Sequence, residues 1–325
     1  AIVSSVQPLP SAPPEPAAHS ERVATLWRKR LELEAEWRLR EGREGDPVTL
    51  RRGLITRAIT LFLKTFGLYG RGVRNARSPI LEEADFCYPD LPPDLDGVRI
   101  LHLSDFHFFQ HEPEFTKAVC ALVRGIETDL CVLTGDYRYG HFGPQAYVPG
   151  LIARVIETVD TRLGAFAVLG NHDLSDLVGD LGDLGVRVLV NEGVCLERGA
   201  ARLWVGGTDD PHKFECDSLE DAFAGAPEDA FQIALVHSPE RIAEAAALGA
   251  RLYLCGHTHA GQIQFPFIGM IDTNARCAPR FAQGRWQHGA MLGYTSPGLG
   301  TTDIPVRYNA PPKALLLTLR RRGGE

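Results

Sequence analysis

The residues Cys255-Gly256-His257-Thr258-His259-Ala260-Gly261-Gln262 follow directly on the apolar run Ala250-Arg251-Leu252-Tyr253-Leu254. That run reads as a buried strand, so two imidazoles stand where the chain leaves a sheet, and in extended geometry residues two apart project to one side. Imidazole pairs at this spacing are a common metal-ligand device, although a pair alone is equally a feature of surface loops. Matching donors stand at the ends of four other apolar runs. Residues 98–103 lead into Ser104-Asp105-Phe106-His107, residues 130–134 into Gly135-Asp136, residues 164–169 into Gly170-Asn171-His172-Asp173, and residues 232–236 into His237. Ligands of α/β sheets bind in the crevice outside the carboxyl ends of the strands, so donors at the same end of five strands point to one shared site. Carboxylate and amide oxygens mixed with imidazoles suit Mn, Fe, Zn or a similar divalent ion, and the donors are more than one tetrahedral centre needs. Two divalent ions per chain are expected.

The blocks Asp105-x-His107, Gly135-Asp136, Gly170-Asn171-His172-Asp173, His237 and Gly256-His257-Thr258-His259, in this order, resemble those of the calcineurin-like metallophosphoesterases. The likeness covers about residues 97–319 and is closest to a bacterial branch whose last block reads Gly-His-Thr-His-Gly-Gly-Gln, with Ala260 in place of the first of the two glycines. The tract Gly207-Thr208-Asp209-Asp210-Pro211 and the tail Tyr294 to Thr301 belong to the same likeness. The resemblance implies a four-layer α-β-β-α sandwich of two sheets packed between helices. It also implies roles for residues: Asp105, His107 and His259 on one ion, Asn171, His237 and His257 on the other, and Asp136 bridging them. The implied reaction is phosphoester hydrolysis by a metal-bridging hydroxide, with His172 as general acid and Asp173 orienting it. A phosphodiester is the expected substrate and a lipid-linked pyrophosphate such as UDP-diacylglucosamine the alternative. An inactive binding module on the same fold is the reading of another class, disfavoured because every donor position is filled.

Arg138, just past Gly135-Asp136-Tyr137, is a candidate fork for phosphate or carboxylate, and Arg307 a weaker one. His102 falls on the strand face opposite Asp105 and reads as core, whereas His111, His141, His212 and His288 read as loop residues. Seven cysteines without paired spacing read as reduced thiols, with Cys255 in a packing role, and place the protein in the cytoplasm.

The elements that must position these groups follow from the remaining pattern. At 325 residues, 44% hydrophobic and 23% charged, the chain can bury one large core or two modest ones. Apolar strands alternate with helical stretches over residues 112–125, 148–159 and 239–248, which predicts an α/β fold with crossover helices. Ser238 before Pro239 has the chemistry of a helix start. Three short runs over residues 186–205 are expected as consecutive strands of a second sheet. Ahead of this domain, placed at residues 81–325, residues 1–20 read as a disordered proline-rich tail without a secretory signal pattern, and residues 21–80 as a helical extension. In that extension residues 21–44 are expected as one exposed helix ending near Asp46-Pro47.

Residues 51–69 read as a basic amphipathic helix, with Ile55, Ile59, Phe62, Leu63 and Phe66 on one face. Docking on the catalytic body and peripheral contact with an anionic membrane, on its inner face, are the two alternatives for it. Charge is divided along the chain. Residues 1–77 hold 14 Lys and Arg against 8 Asp and Glu, a balance of +6, so with a total of −7 the remainder carries −13. An acidic body of that kind speaks against general nucleic-acid binding.

Overall fold

The computed structural model describes residues 21–40, 47–109, 113–140, 145–270 and 273–322; the side chains of residues 38–40 and 47–52 fall outside that description. The expected proline-rich tail, the helix end near Asp46, and His111 and His141 lie outside the described residues.

In chain order the elements begin with helices α1 (Glu21–Arg40), α2 (Pro47–Thr65) and α3 (Tyr69–Ala76). The first sheet and its helices follow as β1 (Ile80–Tyr88), β2 (Arg99–Leu103), α4 (Pro113–Val123), β3 (Glu127–Leu133), α5 (Val148–Ile156), β4 (Asp160–Ala167), α6 (Leu177–Gly182) and β5 (Val186–Val188). Then come β6 (Glu192–Arg198), β7 (Ala201–Gly207), α7 (Leu219–Ala222), β8 (Phe231–Leu235), α8 (Ile242–Ala247), β9 (Leu252–Cys255), the hairpin β10 (Gln264–Phe265) and β11 (Gly269–Met270), β12 (Gly284–His288), β13 (Met291–Thr295) and β14 (Lys313–Arg321).

One six-stranded sheet runs β1-β14-β2-β3-β4-β5 and the other β12-β13-β9-β8-β7-β6. Strands β2 to β5 pair in parallel, as do β7, β8, β9 and β13, so their carboxyl ends are aligned within each sheet. Ile100, Leu130, Val132, Phe166, Leu203, Val205, Ile233, Leu235, Leu252, Leu254, Leu315 and Leu317 fill the space between the sheets. Each such side chain contributes about 1.5–3 kcal/mol by leaving water. On the outer face of the first sheet, Leu101, Leu103, Cys131 and Leu133 meet Phe115, Val119, Ile152, Val155 and Leu177 from α4, α5 and α6. Tyr253 and Ala234 of the second sheet meet Ala222, Ile242 and Ala245 from α7 and α8. The fold is therefore the four-layer α-β-β-α sandwich, with helices added at its N-terminal end.

Several expectations change in detail. The run at residues 186–190 is not in the second sheet, because β5 pairs with β4; the chain crosses between sheets at Asn191, where φ is 56°. Asn191 stabilises the crossing by accepting from the backbone N–H of Asp209 and Ser218 and donating to Cys216 O. Helix α8 starts at Ile242 after Arg241, not at Pro239, and the Ser238 hydroxyl caps nothing.

Helix α1 is the largest departure. Charged composition predicts an exposed helix, which holds for most of its described side chains, but Arg30 and Glu34 are buried, and the two groups neutralise one another at 2.7 Å. Helix α2 meets the body through Leu63, which packs on Ile304 and Val306, while Phe62 and Phe66 remain exposed. Among the described residues no helix is long and apolar enough to cross a membrane.

Candidate metal centre

The donors do gather at the strand ends, but not through extended backbone. Asp105, His107, Asp136, His257 and His259 all take positive φ, between 43° and 73°, so each turns sharply as it leaves its strand. Such conformations cost roughly 1–3 kcal/mol apiece in a non-glycine residue and persist where surrounding contacts hold them. The result for the two histidines of the last block is divergence: His259 faces His107 (Nε2 to Nε2, 2.9 Å), and His257 faces His237 (Nδ1 to Nε2, 3.2 Å) and Asn171 Oδ1 (2.8 Å). Gly256 permits this turn, since any Cβ there would collide with the Asp105 carboxylate and the Ser104 hydroxyl.

Three groups of donors form, each with its ligand atoms within 4.8 Å of one another: Asp105 with His107 and His259, Asp136 with His237 and His257, and His107 with Asp136 and His172. Asp136 stands between the first two. Its Oδ2 lies 3.5 Å from His107 Nε2 and 3.4 Å from His237 Nε2. All of these residues are buried, and His172, at 9% exposure, is the most open.

Proton positions decide whether a cation fits. A carbonyl only accepts, so His107 Nδ1 on Arg138 O (3.1 Å), His237 Nδ1 on Thr134 O (2.7 Å) and His257 Nε2 on Asn274 O (2.8 Å) must carry hydrogens. In each neutral ring the other nitrogen then presents a lone pair to the centre. His237 Nε2, His257 Nδ1 and Asn171 Oδ1 are three acceptors within 3.2 Å of one another, which is unfavourable unless a positive charge lies among them. Burial alone would depress the pKa of His237, yet Asp136 and Asp105 outweigh it and push the group up to about 10, so the carboxylates draw a cation to this point. Burial also holds His257 down at about 4, with His237 adding to it, and keeps His259 well below the ordinary value. The carboxyl of Asp105 is pushed up to about 7 by burial. Burial pushes Asp136 the same way, but its ring of imidazoles, His237 foremost, wins and holds it well below the carboxylate range. The donor set fits divalent cations.

His259 differs from the other rings. Arg307 Nη2, which can only donate, lies 3.2 Å from its Nδ1, so the neutral ring carries its proton on Nε2 and gives it to His107. A cation on that side has to displace this proton. Arg307 itself is fully buried and donates to the carbonyls of Pro297, Gly300 and Ala310, an enclosure that corrects its reading as a substrate-binding fork. Arg138 is also buried: Nε donates to His172 O at 2.6 Å and its carbonyl holds His107. Both arginines shape the loops behind the centre. Asp173 is corrected likewise, because its carboxylate accepts from the backbone N–H of Asp136, Tyr137 and Gly170 at 2.7–2.9 Å. His172 Nδ1 faces the carbonyl of Gly140 at 2.8 Å.

Two features escaped the sequence reading. His102, read as core, is fully buried and donates from Nε2 to the Thr134 hydroxyl (2.8 Å), which donates to Ser104 (2.6 Å), which donates to Asp105 Oδ2 (2.6 Å). Burial lowers this imidazole to about 3 and keeps it neutral, so the chain of donors is fixed in direction. Alternation of strand faces could have suggested it only if Thr134 and Ser104 had been placed side by side, which parallel pairing of β2 and β3 does. The second feature is Arg30 of α1, which reaches Asp209 Oδ1 (2.5 Å) and the carbonyl of Asp173 (2.7 Å) and lies over the Phe214 ring. Beside it Lys213, lowered to about 6 by burial, sits over Trp37 and approaches Asn171 O at 3.4 Å. His212 bonds Glu240 (2.8 Å) and lies 4.2 Å, ring to ring, from His257, whereas His288 lies on β12 near Phe281.

A family profile described as calcineurin-like phosphoesterase matches residues 98–261. An uncharacterized metallophosphoesterase of Bacillus subtilis, YkuE, is 30% identical over 248 residues, covering 71% of this chain and 82% of that protein. A bovine protein described as a transmembrane protein with metallophosphoesterase domain is 29% identical over 305 residues, 86% of this chain and 66% of its own length. The phosphodiesterase YaeI of Escherichia coli is 28% identical over 230 residues, covering 68% and 82% of the two chains. The chain belongs to the calcineurin-like phosphoesterase family.

Proposed function

We propose that this protein is a phosphodiesterase holding two divalent ions, one on Asp105, His107 and His259 and one on Asn171, His237 and His257, with Asp136 shared. The observation that carries this is the placement of Asp136 Oδ2 nearly midway between imidazoles of the two sets, 3.5 Å from His107 and 3.4 Å from His237. Bound ions would supply Lewis-acid chemistry, offsetting charge on phosphoryl oxygens and acidifying water. The protein's own groups do the rest. Gly140 O keeps a hydrogen on Nδ1 of His172, so Nε2, 3.9 Å from Asp136 Oδ2, is the atom that gives a proton to the leaving oxygen. Asp173 fixes the loop that carries it.

Elemental analysis after gentle purification, repeated after reconstitution with Mn, Fe or Zn, is expected to give two ions per chain. Content that stays near zero would favour the inactive binding module instead. Residues 81–325 are taken as the metallophosphoesterase domain, and the seven thiols as reduced in a cytoplasmic setting.

The preference for diesters rests on the enclosure of Arg307, whose guanidinium donates to backbone carbonyls, on the burial of Arg138, whose Nε donates to His172 O, and on the relative named a phosphodiesterase. At equal concentration bis-p-nitrophenyl phosphate is expected to turn over faster than p-nitrophenyl phosphate; the reverse order would overturn the preference. A lipid-linked pyrophosphate such as UDP-diacylglucosamine is the second reading, favoured by the exposed apolar side chains of α2.

A further inference from the structure

Two elements that are remote in sequence expose large apolar groups and stand on one support. From α2 and the residue just past it, Leu54, Ile55, Leu61, Phe62 and Phe66 are exposed, Leu54 and Leu61 by about two thirds (65% and 68%). From the hairpin of β10 and β11, Phe267 is fully open and Ile268 is 74% exposed, with Phe265 beside them at 46%. The support is the segment at residues 304–309. Leu63 of α2 packs on Ile304 and Val306, with Ile263 and Tyr308 against the same cluster. The hairpin base is tied to it by Gln264 N–H on Tyr308 O (2.9 Å) and by Asn309 Nδ2 on Gln264 O (2.8 Å), and the Tyr308 hydroxyl donates to Leu68 O just past α2. Among the described residues neither set of exposed groups is paired with the body, and the hairpin leaves directly from the block that carries His257 and His259.

Charge identifies what covers this surface. Between residues 47 and 81 there are seven Lys and Arg and no Asp or Glu, although the chain as a whole is acidic at −7. Arg57 and Lys64 fall on the stripe of Leu54 and Leu61 at helical spacing, so they border the apolar face. A second copy packed symmetrically on this face would bring Arg57 and Lys64 against their own counterparts. A bilayer with anionic headgroups satisfies both features: the apolar side chains enter the headgroup boundary while the cations meet phosphates. We propose that α2 and the β10–β11 hairpin form a single docking surface for an anionic lipid bilayer. Two separated insertion points fix the orientation of a body where one helix would leave it free to roll, and the hairpin holds the centre's rim close to the lipid.

The test is sedimentation of the full chain with vesicles of phosphatidylcholine alone and with about one third phosphatidylglycerol, at low and high salt. Binding is expected to the anionic vesicles only and to fall with salt. Phe62→Glu with Phe66→Glu, and separately Phe267→Glu with Ile268→Glu, are each expected to weaken it about tenfold or more, because each pair removes two inserting groups and adds two repelled charges. These positions are exposed, so both variants should keep native circular dichroism and unchanged turnover of bis-p-nitrophenyl phosphate. Loss of vesicle binding with turnover kept would therefore be read independently of the phosphodiesterase assignment. No binding to either vesicle, binding indifferent to lipid charge, or wild-type binding by the hairpin variant would overturn the proposal. So would a concentration-dependent dimer dissolved by the same substitutions, which would assign the surface to a second copy.

Discussion

His172→Ala is expected to lower turnover about 10²–10⁴-fold while leaving both ions in place, the effect of removing a general acid. The ring lies beside Asp136 and is held from behind by Gly140, but its backbone contributes separately: His172 N–H donates to Asp136 Oδ1 at 2.9 Å, and an alanine keeps that bond. Asp136→Asn should fail differently. The amide cannot serve two cations as one carboxylate does, and the imidazoles of His107 and His237 lose the negative charge between them, so metal content and rate should fall together. Elemental analysis and bis-p-nitrophenyl phosphate turnover on the same preparations separate the two. Equal loss of metal from both variants would show that His172 is a ligand rather than a proton donor.

The centre was legible because donors of one chemical kind stood at the same end of successive apolar runs, and parallel pairing aligns those ends. What composition could not supply was direction. The expected convergence of His257 and His259 assumed extended backbone, whereas both lie in the left-handed region and turn to opposite sides of Asp136. Side-chain direction beyond the strand ends depends on such local φ values, and only Gly256 gave a hint of the crowding that requires them. Asp173, Arg138 and Arg307 illustrate a second limit. A charged residue beside a motif reads equally as a substrate contact or as a scaffold for loop backbone, and only burial and the backbone hydrogen bonds of Asp173, Arg138 and Arg307 distinguish the two. Strand membership failed at residues 186–190 for a related reason: three short runs in succession look alike, and the Asn191 crossing that splits them between sheets is a tertiary event.

Arg30→Met is expected to destabilise the fold by about 3–5 kcal/mol, the range for removing one partner of a buried ion pair. Arg30 is fully buried and its guanidinium joins three elements: Glu34 on α1, Asp209 past the end of β7, and the carbonyl of Asp173 beside the metal centre. Methionine fills the space over Phe214 but leaves both carboxylates without their cation. Arg28→Met, at an exposed site, is the control and should cost little. The loss should also depend on pH in a definite sense. Burial pushes the Asp209 carboxyl up to about 6 even with Arg30 opposing it, whereas in an unfolded chain an aspartate ionises near about 3.9. A carboxyl whose folded pKa lies above its unfolded value weakens the fold as pH rises between the two, because the unfolded chain releases its proton first. Removing Arg30 raises the folded value further and widens that window upward. Denaturant unfolding at pH 5 and pH 8 should therefore show the larger deficit at pH 8, and a deficit independent of pH would remove Asp209 from the account. Since Arg30 also holds the Asp173 carbonyl, the variant should lose turnover at temperatures where it is still folded. That coupling would make α1 part of the catalytic body, which its charged sequence alone gave no reason to expect.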